Sequence, residues 1–272
     1  MYARTAQSHL RPSFEVCKAP KVFNPCVVIP VYNHHLVIAS VVERIRHFGL
    51  DCFLVDDGSE PQCRSVLEQI ALNDSGVTLI RFGNNCGKGV AVCTGLEAAA
   101  TAGFSHALQV DADGQHNIDD IPRFIACARQ HPDAVVSGSR IYGQVPASRR
   151  YGRKLTDGLV YLHTLSQAIV DSMCGYRVYP LTETMALLQR CKVGKRMDFD
   201  TDILVRLYWQ GVPVQHVTTP VIYQNDIPSH FDLLRDNLRI SKMHLRLFLG
   251  MLLRIPSLMA LKRQRPRVDV QY

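Results

Sequence analysis

Leu108-Gln109-Val110-Asp111-Ala112-Asp113-Gly114-Gln115-His116 is the stretch from which the fold can be read. A short apolar run ends in two carboxylates one residue apart, followed by a glycine. At a strand's end that glycine lets the chain bend, so both carboxylates and the Gln115 carbonyl can converge on one point. Oxygen-only ligands in an open arrangement suit Mg²⁺ or Mn²⁺, whose shells are commonly completed by substrate phosphates. Taken alone, the same residues also fit a solvated acidic turn.

The neighbouring segments decide between these readings. Upstream, Cys26-Val27-Val28-Ile29-Pro30 is a buried-strand pattern, followed by the loop Val31-Tyr32-Asn33-His34 and a helical spacing over 35–48. Cys52-Phe53-Leu54-Val55 is a second strand, ended by Asp56-Asp57-Gly58-Ser59, and Pro61 can open the next helix. Val77-Thr78-Leu79-Ile80 is a third strand, leading to Gly83-Asn84-Asn85-Cys86-Gly87-Lys88-Gly89 and an Ala-rich helix. His106–Val110 is the fourth; a helix at 119–130 and a strand Ala134–Ser137 follow. Alternating strands and helices argue for a parallel sheet with helices on both faces. Ligands in such sheets bind outside the carboxyl ends of the strands. Asn33, Asp57 and Asp111/Asp113 each lie just past a strand, and the Gly/Lys loop follows another, so four polar clusters should share one crevice.

The second half is less regular. Residues 139–153 are basic and glycine-containing and read as a mobile loop, followed by a helix at 154–169. Leu181–Arg190 reads as a helix, as does the segment from Asp198-Phe199-Asp200-Thr201-Asp202 to Trp209. Val212–Val217 and Val221–Tyr223 read as strands. A last helix is expected over 231–253, with Leu234, Leu238, Leu245, Phe248 and Leu252 as an apolar stripe and Arg235, Arg239, Lys242 and Arg246 as a basic row.

Bulk composition bounds the answer. With 272 residues, 47% of them hydrophobic, the chain can bury one large core or two small ones. No run of about 18 apolar residues occurs, and no signal-peptide core precedes the first strand. The nine cysteines form no C-x-x-C pair and most sit in apolar runs, which reads as a reduced, cytoplasmic protein without a disulfide or zinc framework. The net charge of +7 resides in the tail: residues 233–272 hold nine Lys/Arg against two Asp. No base-stacking aromatics interleave with these cations, so nucleic acid is not the expected partner.

Several motifs, in order, resemble the A-type glycosyltransferases of family 2, near the dolichyl- and polyprenyl-phosphate sugar transferases. They are Pro30-Val31-Tyr32-Asn33, Asp56-Asp57-Gly58-Ser59, Asn85-Cys86-Gly87-Lys88-Gly89, Asp111-Ala112-Asp113-Gly114-Gln115, Gly175-Tyr176-Arg177 and Asp198-Phe199-Asp200-Thr201-Asp202, with Ser229-His230-Phe231 echoing a late motif. The extension through Arg235–Leu253 more weakly resembles transferases found with bacterial aryl-polyene pigment genes. The resemblance implies an A-type, Rossmann-like α/β fold with a mostly parallel sheet. It also implies an N-terminal arm (1–24), a catalytic domain (25–231) and a basic amphipathic extension (232–272).

The function it implies is metal-dependent transfer of a sugar from a UDP- or GDP-sugar to a lipid-linked or amphipathic acceptor, with inversion. Pro30, Tyr32, Asn33 and Asp57 would hold base and ribose, with Lys88 near the nucleotide. Asp111 would hold ribose or metal, and Asp113 and Gln115 the Mg²⁺ or Mn²⁺. Arg177, His230 and the basics of 149–153 would contact the diphosphate or an anionic acceptor. The family's usual acidic residue after Pro-x-Tyr-Asn is His34 here, which leaves UDP versus GDP open. Asp200 and Asp202 compete as catalytic base; residues two apart do not share a helix face, and Asp202 is preferred. An acceptor phosphate, being already ionised, would need no base. The tail helix has three readings: packed on the catalytic domain, peripheral on an anionic membrane at its inner face, or bound to a partner protein. The competing function is a non-catalytic nucleotide- or lipid-binding module on the same scaffold.

Overall fold

The computed structural model describes residues 22–141, 147–220 and 233–264, with side chains over 22–141, 155–220 and 234–263. Most of the 1–24 arm, the expected strand Val221–Tyr223, His230 and the side chains of Arg149, Arg150 and Arg153 lie outside these residues.

The first half alternates as expected: β1 (Pro25–Val31), α1 (Ile38–Arg46), β2 (Cys52–Asp56), α2 (Pro61–Asn73), β3 (Val77–Arg81), α3 (Lys88–Thr101), β4 (His106–Gln109), then a 3₁₀ turn into α4 (Ile121–Gln130) and β5 (Val135–Ile141). The second half supplies α5 (Ala147–Thr164), β6 (Arg177–Pro180), α6 (Leu181–Arg190), α7 (Phe199–Trp209), β7 (Val214–Pro220), α8 (Leu233–Leu252) and α9 (Ile255–Gln264).

The strands form one sheet in the order β3-β2-β1-β4-β6-β5-β7. The β1–β2, β2–β3, β1–β4 and β5–β7 pairs are parallel. β6 runs antiparallel to both its neighbours, β4 and β5. The sheet is thus mostly parallel, as expected, with β6 as the antiparallel strand. A four-residue strand inside Gly175–Pro180 carries too little β-branched alternation to show in sequence. The basic run 139–153 is also not wholly a loop, since β5 extends to Ile141 and α5 begins at Ala147.

Both sheet faces are covered, which is why the central strands read as unbroken apolar runs. Alternation splits them between two cores. Val27 and Ile29 face α1, α2 and α4 through Ile38, Val41, Leu67, Ile121 and Phe124. Val28 and Phe53 face α3 and the helices beyond it through Val92, Leu96, Phe199, Leu204 and Leu207. Met243, Leu247 and Met251 of α8 and Leu258 of α9 belong to this second core. The extension is thus packed into the body by its methionines and Leu247, while the leucine stripe marked in the sequence (Leu234, Leu238, Leu245, Leu252) is exposed. The eight described cysteines are unpaired.

Candidate functional site

The chain leaves β1 for β2 and β3 on one side and reaches β4 on the other, so the strand order reverses between β1 and β4. A crevice forms at such a point. A cavity of about 610 Å³ opens there, within the range of ligand sites. Pro30, Val31, Tyr32 and His34 line it from the end of β1, and Asp57 from β2. Asn85, Gly87 and Lys88 come from the approach to α3, and Asp111, Ala112, Asp113 and Gln115 from the end of β4. Arg196 and Met197 precede α7, and Arg235, Asp236 and Arg239 lie in the first turns of α8.

Local chemistry sets each wall. The Asp57 carboxylate accepts from the backbone N–H of Cys86 (2.6 Å) and Gly87 (2.9 Å), binding the end of β2 to the loop before α3. Burial pushes its pKa up against these hydrogen bonds. Its neighbour Asp56 is wholly buried and takes Ser59 N–H (2.9 Å) and Arg81 (2.8 Å). One aspartate of the pair therefore braces the loop, and the other meets the cavity. Asn33 sits at φ 60° and anchors Glu60 N–H through its Oδ1 (2.8 Å); it holds the loop's shape and is not among the lining residues. Gly87, at φ 106°, also leaves room for Lys195 and Arg196 to pass close by. Arg196 in turn donates to the Asn85 Oδ1 (2.7 Å).

The centre is a charge cluster beneath the cavity. The Lys88 ammonium, on the first turn of α3, lies 2.9 Å from both Asp111 and Asp200. Burial alone would favour losing its proton, but the two carboxylates outweigh burial and hold its pKa above the ordinary lysine range. Burial would likewise push the Asp111 carboxyl up; Lys88, with His116 at 3.4 Å, holds it well below the usual range. Gln109 donates to Asp200 (3.2 Å) and accepts from the Tyr179 hydroxyl (3.1 Å). Gly175 lies against this cluster: a Cβ there would fall 2.8 Å from Asp111, Gln109 and Lys88.

Asp113 and Gln115 share a turn in which the Gln115 N–H bonds the Asp113 carboxylate (3.0 Å), with Gly114 at φ 70° making the bend. Asp111, Asp113 and Gln115 offer hard oxygen donors on the wall of an open cavity, the donor set that Mg²⁺ or Mn²⁺ takes. Among the described residues no group of three His, Cys, Asp or Glu side chains could hold a metal, so such an ion would complete its shell with water and substrate oxygens.

Two of the expected site residues lie away from the cavity lining. Asp202 is fully buried on the opposite side of α7 from Lys88, bonded to Arg206 (2.7 Å), Arg246 (2.7 Å) and Gly194 N–H (2.8 Å). Of the two candidates for the base, Asp200 and not Asp202 joins the charge cluster. Arg177 is also fully buried, held by the carbonyls of Asp200 (2.9 Å) and Cys174 (3.0 Å) and the Tyr179 hydroxyl (3.2 Å). It braces the floor and is not among the residues lining the cavity. The sequence reading missed Gln109, whose signal was a polar residue inside an apolar strand. It also missed Arg196, and it read Arg235 and Arg239 only as part of a surface row.

Comparison with known proteins adds to this geometry. The sequence profile of the family described as "Glycosyl transferase family 2" matches residues 26–193. The UDP-N-acetylglucosamine–dolichyl-phosphate N-acetylglucosaminyltransferase of Methanococcus voltae is 26% identical over 217 residues, covering 72% of this chain and 85% of that protein. An undecaprenyl-phosphate 4-deoxy-4-formamido-L-arabinose transferase of Pseudomonas fluorescens is 32% identical over 172 residues, 60% of this chain and 48% of that protein. In fold, the chain is similar to glucosyl-3-phosphoglycerate synthase of Mycobacterium tuberculosis, crystallised with Mn²⁺, UDP-glucose and phosphoglyceric acid. The TM-score is 0.57 at 17% identity, over 85% of this chain and 78% of that one.

Proposed function

The chain belongs to glycosyl transferase family 2 and is a glycosyltransferase, and from that premise we propose that it moves a sugar from a UDP- or GDP-sugar, with a divalent metal, onto the phosphate of a polyprenyl-type lipid. The observation that carries the acceptor is the state of the carboxylates. Asp57 is held by backbone N–H groups, Asp200 by Lys88 and Gln109, Asp202 by two arginines, and Asp236 by Arg239 at 2.7 Å. Asp111 and Asp113 are the metal-type pair. A hydroxyl acceptor needs a base within hydrogen-bond reach, whereas an ionised phosphate needs only cations, and Arg196, Arg235 and Arg239 line the cavity. The relatives named for dolichyl- and undecaprenyl-phosphate agree with this reading.

In this mechanism a phosphate oxygen attacks the anomeric carbon opposite the leaving group. The bond from that carbon to the diphosphate breaks, the nucleoside diphosphate departs, and the configuration inverts. Pro30, Tyr32 and Asp57 form the nucleoside wall, on a loop whose shape Asn33 holds. Asp111, Asp113 and Gln115 would hold Mg²⁺ or Mn²⁺, which would neutralise charge on the diphosphate. Lys88, its pKa held up by Asp111 and Asp200, presents a second cation beside that charge, fixed in place by Asp200. The arginines on the cavity wall attract and orient the acceptor phosphate. The free thiols suit a reducing compartment, so the expected place of action is cytoplasmic, peripheral at the inner face of a membrane.

The test incubates the chain with Mn²⁺, labelled UDP- and GDP-sugars, and either a short polyprenyl phosphate or the matching polyprenol. Label should pass to the phosphate alone. Transfer to the alcohol would overturn the acceptor assignment. Nucleotide binding without transfer to either would favour the non-catalytic binding module.

A further inference from the structure

Helix α8 has three faces, and packing within the described body uses one of them, joined by Arg246 of a second through its pair with Asp202. Ile240, Met243, Leu247 and Met251 turn toward the core. On the far side Leu234 (85% exposed), Leu238, Leu245, Leu249 (54%) and Leu252 form an uncovered arc, continued past the helix end by Leu253 (84%). At about 100° per residue, Arg235, Arg239, Lys242 and Arg246 fall in the sector between that arc and the buried face. We propose that this leucine arc and its basic border form a docking face that lies in the plane of an anionic lipid bilayer. The proposal deepens the lipid-phosphate reading and rests on it for its purpose, though not for its observations.

Three features select a bilayer as the occupant. The arc and border match an in-plane helix, with apolar residues entering the acyl boundary and cations meeting anionic headgroups. A second copy of the chain would bring two like-charged borders together, at an electrostatic cost. The border is also continuous with the site, because Arg235 and Arg239 line the cavity as well. Docking this face would therefore set the cavity mouth at headgroup level, where a lipid phosphate is found. No single described helix is long and apolar enough to cross a membrane; α8 and α9 pass that test only together, bent by 78°. With one side of α8 already buried against the protein, the helix is placed to lie on a bilayer, not to span it.

The experiment is vesicle flotation of the whole chain, comparing neutral phosphatidylcholine with phosphatidylcholine–phosphatidylglycerol vesicles. Partition should be at least 10-fold higher on the anionic vesicles and fall as salt is raised. Leu245→Glu/Leu249→Glu should reduce it at least 10-fold and Lys242→Glu several-fold. These positions lie off the cavity, so nucleotide-induced thermal stabilisation should be unchanged; that readout separates failure of docking from failure of the transferase reading. Equal or absent binding to both vesicles would overturn the proposal, as would retention of binding by the double variant. A dimer in ultracentrifugation that the double variant dissolves would assign the arc to self-association instead. Membrane-bound protein that survives an alkaline wash would mean a broken span.

Discussion

On the proposed mechanism, Asp200 and Asp202 have different tasks within one helical turn. Asp202→Asn leaves the partly buried Arg206 without its anion and releases Arg246; breaking a pair around a buried carboxylate of this kind costs about 3 kcal/mol. For a chain of this size that is a melting-temperature drop of roughly 6–12 °C. Asp200→Asn should cost less stability, because Lys88 keeps Asp111, but should lower kcat about 100-fold by releasing the cation beside the leaving group. Thermal melts and steady-state rates on the two variants check this, and the opposite pattern would return the catalytic role to Asp202. Gly175→Ala makes a second prediction at this scale. Its methyl would displace Lys88, Asp111 or Gln109, so kcat should fall at least 10-fold while the fold persists. The pair Asp111/Asp113 was legible because a strand end displays its carboxylates. Asp200 against Asp202 was not. Every residue from Phe199 to Leu204 is buried, so no polar face fixes the phase of the helix.

Helix α8 shows how an element can be located in a sequence while the face it packs with stays open. Its leucines make the stronger stripe, but a second arc of isoleucine, methionine and Leu247 meets the body. Periodicity alone cannot say which of two apolar arcs is buried. The packed side also carries His244, whose Nδ1 lies 3.1 Å from Nε2 of His163 on α5. Burial, and secondarily His244, depress the His163 pKa from 6.5 to about 4; burial lowers that of His244 as well. With folded values below unfolded ones, the folded state resists protonation. The contribution is intact above about pH 6.5 and is lost as pH falls toward 4, about 3 kcal/mol for His163 at the acid end. His163→Phe should flatten the acid limb of a stability–pH curve measured by denaturant titration. An unchanged limb would show that the pair is not what the acid attacks.

For the whole molecule, the parallel half of the sheet and the position of its crevice could be read from strand–helix alternation, since each polar cluster follows an apolar run. The antiparallel β6 and the arginine-lined wall could not, because they depend on which distant segments pair. The donor prediction belongs at this scale. A nucleotide-sugar at about 100 times its Kd stabilises the native state by about 2.7 kcal/mol, a melting shift of roughly 5–10 °C. The shift should require Mn²⁺ or Mg²⁺, vanish with chelator, and be absent in Asp113→Ala. A full shift in chelator would remove the metal from the site.

The place of β6 also bears on how the protein is made. Among the described strands β5 pairs only with β6 and β7, both of which follow it in the chain. During synthesis β1 to β4 can join as soon as they emerge, whereas β5 waits for Arg177–Pro180 and Val214–Pro220. Over that interval the open edge of β4 and an unpaired apolar strand are both on offer to other chains. Ribosome-stalled or truncated chains ending between residues 141 and 176 should therefore aggregate, while those extending past β7 should not.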